Sequence, residues 1–96
     1  EIFYHWVLLP DELILERKYD RALKYLEDSL EYHGNNALIF FRLAALYYKT
    51  SNMRTSLRYF KKAMLMDKKR YNEFFRICPE AKRSNEIKKV MKDKTI

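Results

Sequence analysis

The 96-residue chain holds one cysteine, one glycine, two prolines and two histidines, and each shortage removes a class of protein. Cys78 has no second cysteine to pair with, so the fold does not rest on an internal disulfide or on an oxidising compartment. With a single glycine no glycine-rich phosphate loop can be built. An all-β domain of this length needs a turn-forming residue about every ten positions, far more than Gly34, Pro10 and Pro79 supply, so helix is favoured. His5 and His33 are far apart and do not stand at i, i+4 to each other, which leaves no helical metal motif; His33 reads as a helix-end residue beside a C-terminal dipole. Cys78 precedes Pro79 with no histidine nearby in sequence and reads as a buried, inert thiol. The acidic pairs Asp11-Glu12 and Glu27-Asp28 are adjacent, so their side chains diverge on a helix and solvation accounts for them. These absences point to a non-enzyme that needs no cofactor and no metal.

What the chain does contain is apolar and basic. Hydrophobic residues make up 48%, aromatics 16% and charged residues 34%, too apolar for disorder and too often interrupted by charge for a membrane span. The opening EIFYHWVLLP lacks a basic leader segment and resembles neither a signal peptide nor an anchor. Because it starts on Glu1, the chain reads as part of a longer protein. No feature names a compartment, and the cytoplasm is the default expectation. The net charge of +7 is unevenly spread: residues 1–48 hold five basic and eight acidic groups, a balance of −3, whereas residues 49–96 hold fifteen and five, a balance of +10. Such polarity suits acidic peptides, nucleic acid or anionic lipid, or simply a set of solvated helix faces.

Periodicity predicts a helix over Tyr19 to Leu30, with Ala22, Leu23, Leu26, Ser29 and Leu30 on one face and Arg21, Lys24, Glu27, Asp28 and Glu31 on the other. Gly34 closes it in a left-handed conformation, and Asn36 caps the next helix. That next run, Ala37 to Lys49, is apolar almost throughout and should be covered on most sides. Asn52 is expected to cap a third helix, Met53 to Met66, with Leu57, Phe60, Ala63 and Met64 inward and Arg54, Arg58 and Lys61 outward. Two antiparallel helices joined by so short a turn make a hairpin. In the tail, Ser84 should cap a last helix that turns Ile87, Val90 and Met91 to one side.

Shifting the chain by the 34 residues of a common helical repeat sets Ala22 on Ser56, Leu23 on Leu57, Lys24 on Arg58, Tyr25 on Tyr59, Leu26 on Phe60 and Ser29 on Ala63. The pattern resembles the tetratricopeptide repeat. Its best copy is 37–70, where Phe40 takes the family's Trp position, Leu43 and Ala44 its Leu-Gly, Tyr47 its Tyr, and Ser56, Phe60 and Ala63 its Ala, aromatic and Ala. Lys68 and Ser51 depart from the family's usual Pro and turn Gly. A first copy, 3–36, has Trp6, Leu9 and Leu13 in register, but Pro10 lies inside its first helix and should kink or break it. A third, degenerate copy opens at Tyr71 with Phe74 and Ile77 in register, ends at Pro79 and passes into the capping helix, so that 71–96 closes the array.

The resemblance implies one all-α domain of tandem antiparallel hairpins, coiled as a right-handed solenoid, that docks a protein or peptide on its concave side. It implies a groove lined by Leu38, Phe41, Ala45 and Tyr48, continued by Asn72 and Phe75, with Arg42, Lys49 and Arg76 at its margins. An apolar strip with basic margins suits an amphipathic, acidic segment. The family's carboxylate-gripping Lys and Asn are replaced here by Phe41 and Ala45, which speaks against that specialisation. Two other readings stand beside the scaffold: a structural or self-associating segment of a larger protein, and a basic nucleic-acid-binding module using Arg54, Arg58, Lys61 and the lysines that follow. The second is opposed by the lack of aromatics interleaved among those cations.

Overall fold

A computed structural model describes residues 2–34 and 36–93, with side chains from Leu9 onward. Readings that concern the side chains of Phe3, His5 and Trp6, or residues 94–96, lie outside the described residues. Six α-helices follow one another: α1 (Ile2–Leu15), α2 (Tyr19–His33), α3 (Ala37–Lys49), α4 (Met53–Asp67), α5 (Asn72–Ile77) and α6 (Asn85–Met91), with short 3-10 turns at Lys68–Arg70 and Pro79–Arg83. No strand occurs among the described residues. The protein is all-helical.

Each boundary has a local cause. The Leu38 N–H donates to the Asn36 side chain at 3.0 Å, as a helix cap requires. Gly34 ends α2 at φ 58°, with its N–H on the Leu30 carbonyl at 2.9 Å. A Cβ there would meet nothing within 4 Å, so glycine serves the backbone angle rather than a tight fit. Ser84 caps α6 by accepting from the Ile87 N–H at 3.3 Å, and Ile87 and Val90 turn inward as expected. Asn52, by contrast, makes no side-chain cap on α4. Its own N–H instead closes α3, donating to the Tyr47 carbonyl at 2.8 Å, so Asn52 serves the helix before it rather than the one it opens.

The first helix corrects another expectation. α1 runs through Pro10 as one helix, where the ring's clash and its missing N–H were expected to kink or break it, and it does not break. Pro10 is fully buried, so the ring packs into the interior, which offsets part of the backbone cost.

Packing centres on α3. It lies most extensively on α4, and α5 and α2 also pack against it, so Ile39 through Leu46 are buried without exception. Small residues bring α3 and α4 together: Ala44, Ser56 and Ala63 are fully buried, and the Ser56 hydroxyl donates to the Ala44 carbonyl at 2.7 Å. Around this seam Phe41, Phe60 and Phe74 meet in series, the first pair edge to face with ring centroids 5.9 Å apart and the second tilted at 4.6 Å. Each fully buried phenylalanine contributes about 1.5–3 kcal/mol of hydrophobic stabilisation.

Candidate functional site

The face built by α1, α3 and α5 carries most of the residues expected to line a groove, and the structure sorts them sharply. Phe41 and Ala45 are fully buried, Phe75 is 9% exposed, and all three are core. The cause is α5, which lies against α3 and covers it. Tyr48 is half-buried with its ring edge-on to Phe74 at 6.4 Å. Leu38 is half-buried and Asn72 exposed. The apolar strip expected to be open to a partner is therefore mostly closed by the chain itself.

The expected basic margins are equally engaged. Arg42 is 3% exposed. Its Nε and Nη2 donate to the two oxygens of Asp11 at 2.9 and 3.1 Å, Nη2 also reaches Glu73 at 3.1 Å, and Nη1 donates to the Leu38 carbonyl at 3.2 Å. Arg76 meets the same two carboxylates, each at 3.2 Å. Two arginines and two carboxylates thus join α1, α3 and α5, and each buried charge finds opposite charge and hydrogen bonds, without which its desolvation would be prohibitive. Arg42 is a clasp rather than a free cation at a groove edge. Lys49 pairs with Glu80 at 3.0 Å. Burial opposes the charge on Lys49, but the hydrogen bond and charge of Glu80 outweigh it and raise its pKa.

What remains accessible is a cleft of about 260 Å³ at the far end of these helices, lined by Asp11, Ile14, Leu15, Arg17, Tyr19, Lys49, Arg76 and Ile77. Leu15 is 85% exposed at its rim. Arg17 forms no ion pair among the described residues. Of the residues named in advance only Lys49 and Arg76 reach this cleft. Asp11, Ile14, Leu15 and Arg17 were missed, although Asp11 and Ile14 stand 34 positions before Ala45 and Tyr48 and so share their register on the first hairpin.

Two further groups of side chains matter. Glu27, expected on a solvated face, is half-buried and accepts hydrogen bonds from Tyr47 at 2.6 Å and Tyr59 at 3.1 Å. Phe40, Tyr59 and Tyr47 stack in a row, with centroids 5.7 and 5.8 Å apart. Burial, the hydrogen bond to Glu27 and its charge push the Tyr47 phenol up to about 12, and burial and Glu27 also raise Tyr59. Such an array ties α2, α3 and α4 together and holds no free nucleophile or base. Cys78 is buried, and desolvation with the nearby Glu80 charge pushes its thiol up to about 12, which keeps it protonated and unreactive.

Among the described residues no group of three or more His, Cys, Asp or Glu could hold a metal ion. No described helix is long and apolar enough to cross a membrane. No protein-family model, curated protein or solved structure matches the chain.

Proposed function

We propose that this protein is a non-catalytic interaction scaffold of tetratricopeptide type, whose helical hairpins present the cleft beside α1, α3 and α5 to an apolar, acidic protein segment. The observation that carries the reading is the cleft itself. An exposed leucine and the apolar Ile14 and Ile77 stand beside Arg17, a cation that no carboxylate satisfies among the described residues. A segment with an apolar side chain next to an acidic one complements both features.

Repetition supports the scaffold architecture. α2 and α4 have the same length and lie 34 positions apart, and the turns that precede them share their hydrogen bonds and their positive φ. Arg17 and Ser51 both take positive φ, at 60° and 64°. Behind them Lys18 N–H meets the Leu13 carbonyl and Asn52 N–H the Tyr47 carbonyl, each at 2.8 Å. This is the helix-ending geometry usually given to glycine.

The test is a peptide array in which leucine alternates with aspartate or glutamate in one set and with lysine in the other. Binding to the acidic set, weakened by Leu15→Asp and by Arg17→Glu at unchanged melting temperature, is the expected result. Equal binding to both sets, or indifference to both substitutions, would remove the cleft as the site.

A further inference from the structure

A second exposed apolar feature lies outside the cleft and shares no lining residue with it. On the last turns of α4, Leu65 is 65% and Met66 is 42% exposed, two large apolar side chains in succession on a helix that is otherwise basic outside. Together with Phe40 of α3 and Lys62 they line a depression of about 290 Å³. The Lys62 ammonium lies 5.8 Å from the Phe40 ring centre and 5.9 Å from that of Tyr59. Both rings hold that cation at the edge of the depression, where it forms no ion pair among the described residues.

Charge decides what fits there. α4 carries Arg54, Arg58, Lys61 and Lys62 against one carboxylate, Asp67, and Asp67 is taken by Arg70 at 3.2 Å. The occupant must bring apolar side chains for Leu65 and Met66 and negative charge for Lys62, whereas Lys61 lines a separate depression with Glu86 and Asp93. A second copy of this chain is a poor candidate, because its net charge of +7 opposes self-association. The structure has no sheet edge among the described residues for a strand to join, which leaves helix-on-helix packing as the natural mode. We propose that this face of α4 is a second docking surface, taken by an acidic amphipathic helix of a partner protein.

The probe is a dye-labelled peptide of about 14 residues with leucine at i, i+3, i+4 and i+7 and glutamate on the other faces, read by fluorescence anisotropy against the whole chain. A counterpart with lysine for every glutamate is the control, and sedimentation of the protein alone reports its mass. The acidic peptide should bind and the lysine peptide should not. The double change Leu65→Ser with Met66→Ser should weaken binding by at least about tenfold, since buried apolar anchors dominate such contacts. Lys62→Glu should weaken it as well, while Leu15→Asp and Arg17→Glu leave it unchanged. Because Met66 is partly covered and Lys62 lies over two rings, melting temperatures check that the Leu65→Ser with Met66→Ser and the Lys62→Glu variants still fold. The proposal is overturned if neither peptide binds, if both bind equally, or if the cleft substitutions abolish binding. It is equally overturned if the protein alone forms dimers that Leu65→Ser and Met66→Ser dissolve, for then the face belongs to a second copy.

Discussion

The hairpin of α1 and α2 and the hairpin of α3 and α4 follow one local plan and sit in different surroundings. Their turns use the same hydrogen bonds and the same positive φ, yet α4 buries Ser56, Tyr59, Phe60, Ala63 and Met64, whereas α2 buries Ala22, Leu26 and Ser29. At equivalent ends of the first helices, Leu15 is 85% exposed while Lys49 is held by Glu80. The contrast comes from neighbours, not from propensity. α3 has α2 and α5 pressed on it as well as α4. The second hairpin therefore has the more extensive cover among the described residues, and the cleft opens where the end of the first hairpin meets Lys49, Arg76 and Ile77.

The largest effect expected from breaking this arrangement is at Phe60 and Arg42. Phe60→Ala empties a site that touches both Phe41 and Phe74 and should cost about 3–5 kcal/mol. Arg42→Ala should cost a similar amount, about 3–5 kcal/mol, because it strands Asp11 and Glu73 beside one half-exposed arginine. Denaturant unfolding measures both. If Arg42→Ala were nearly neutral, the clasp would be a surface feature, and the joining of α1 to α3 and α5 would rest on apolar contact alone.

A smaller effect tests the helix seam. Ala63→Trp forces a bulky ring into the approach of α3 and α4 and should cost more than about 2 kcal/mol, whereas the exposed Lys61→Trp should cost little. Equal penalties would mean that the two helices do not meet at Ala63.

Much of this was legible in the sequence, and most of the misses share a cause; Asn52 is the local exception, its N–H closing α3 while its side chain leaves α4 uncapped. The spans of α3 and α4, the Asn36 and Ser84 caps and the closing glycine follow from local rules of spacing and hydrogen bonding, so they could be read from neighbouring residues. The burial of Phe41 and Ala45 depends on α5, a helix begun only after a 3-10 turn and contributed by a weakly patterned stretch. Nothing within Ala37–Lys49 records that cover. Asp11 and Glu27 were read as solvated for the same reason: their partners, Arg42, Arg76, Tyr47 and Tyr59, lie on other helices. The unbroken run of α1 through Pro10 is also a tertiary matter, since a local rule predicts a kink or a break and burial of the ring offsets part of that cost.

The matched turns give a prediction in the opposite direction. Arg17 and Ser51 occupy positive φ that non-glycine residues adopt at a cost. Arg17→Gly and Ser51→Gly should each stabilise the fold by about 0.5–1 kcal/mol, the relief of strain outweighing the entropy lost by glycine. Thermal melts of the two single variants and of the double would show whether the turns contribute independently, as sites with no shared partners should. Loss of stability in either variant would mean that its side chain makes contacts that matter more than its backbone angle.

The smallest effect concerns the one ion pair that distinguishes the end of α3 from the end of α1. Burial would raise the Glu80 pKa, but a hydrogen bond from its own backbone N–H, together with the hydrogen bond and charge of Lys49, outweighs burial and lowers it. A carboxylate depressed in the folded state stabilises the protein above its unfolded pKa of about 4.3, and that contribution is lost as pH falls through the lower folded value. The Glu80 side chain is 51% exposed, so solvent screening keeps the contribution small, below about 1 kcal/mol. Glu80→Gln should therefore melt slightly below the parent protein at pH 6, and the gap should close as the pH falls through the folded value and the parent's carboxylate is protonated too. A gap that persists at the acid end of that titration would assign the loss to packing of the Glu80 side chain and not to its charge. No gap at any pH would mean that Lys49 is free to turn toward the cleft, adding a second available cation beside Arg17 and strengthening the attraction of that site for an acidic segment.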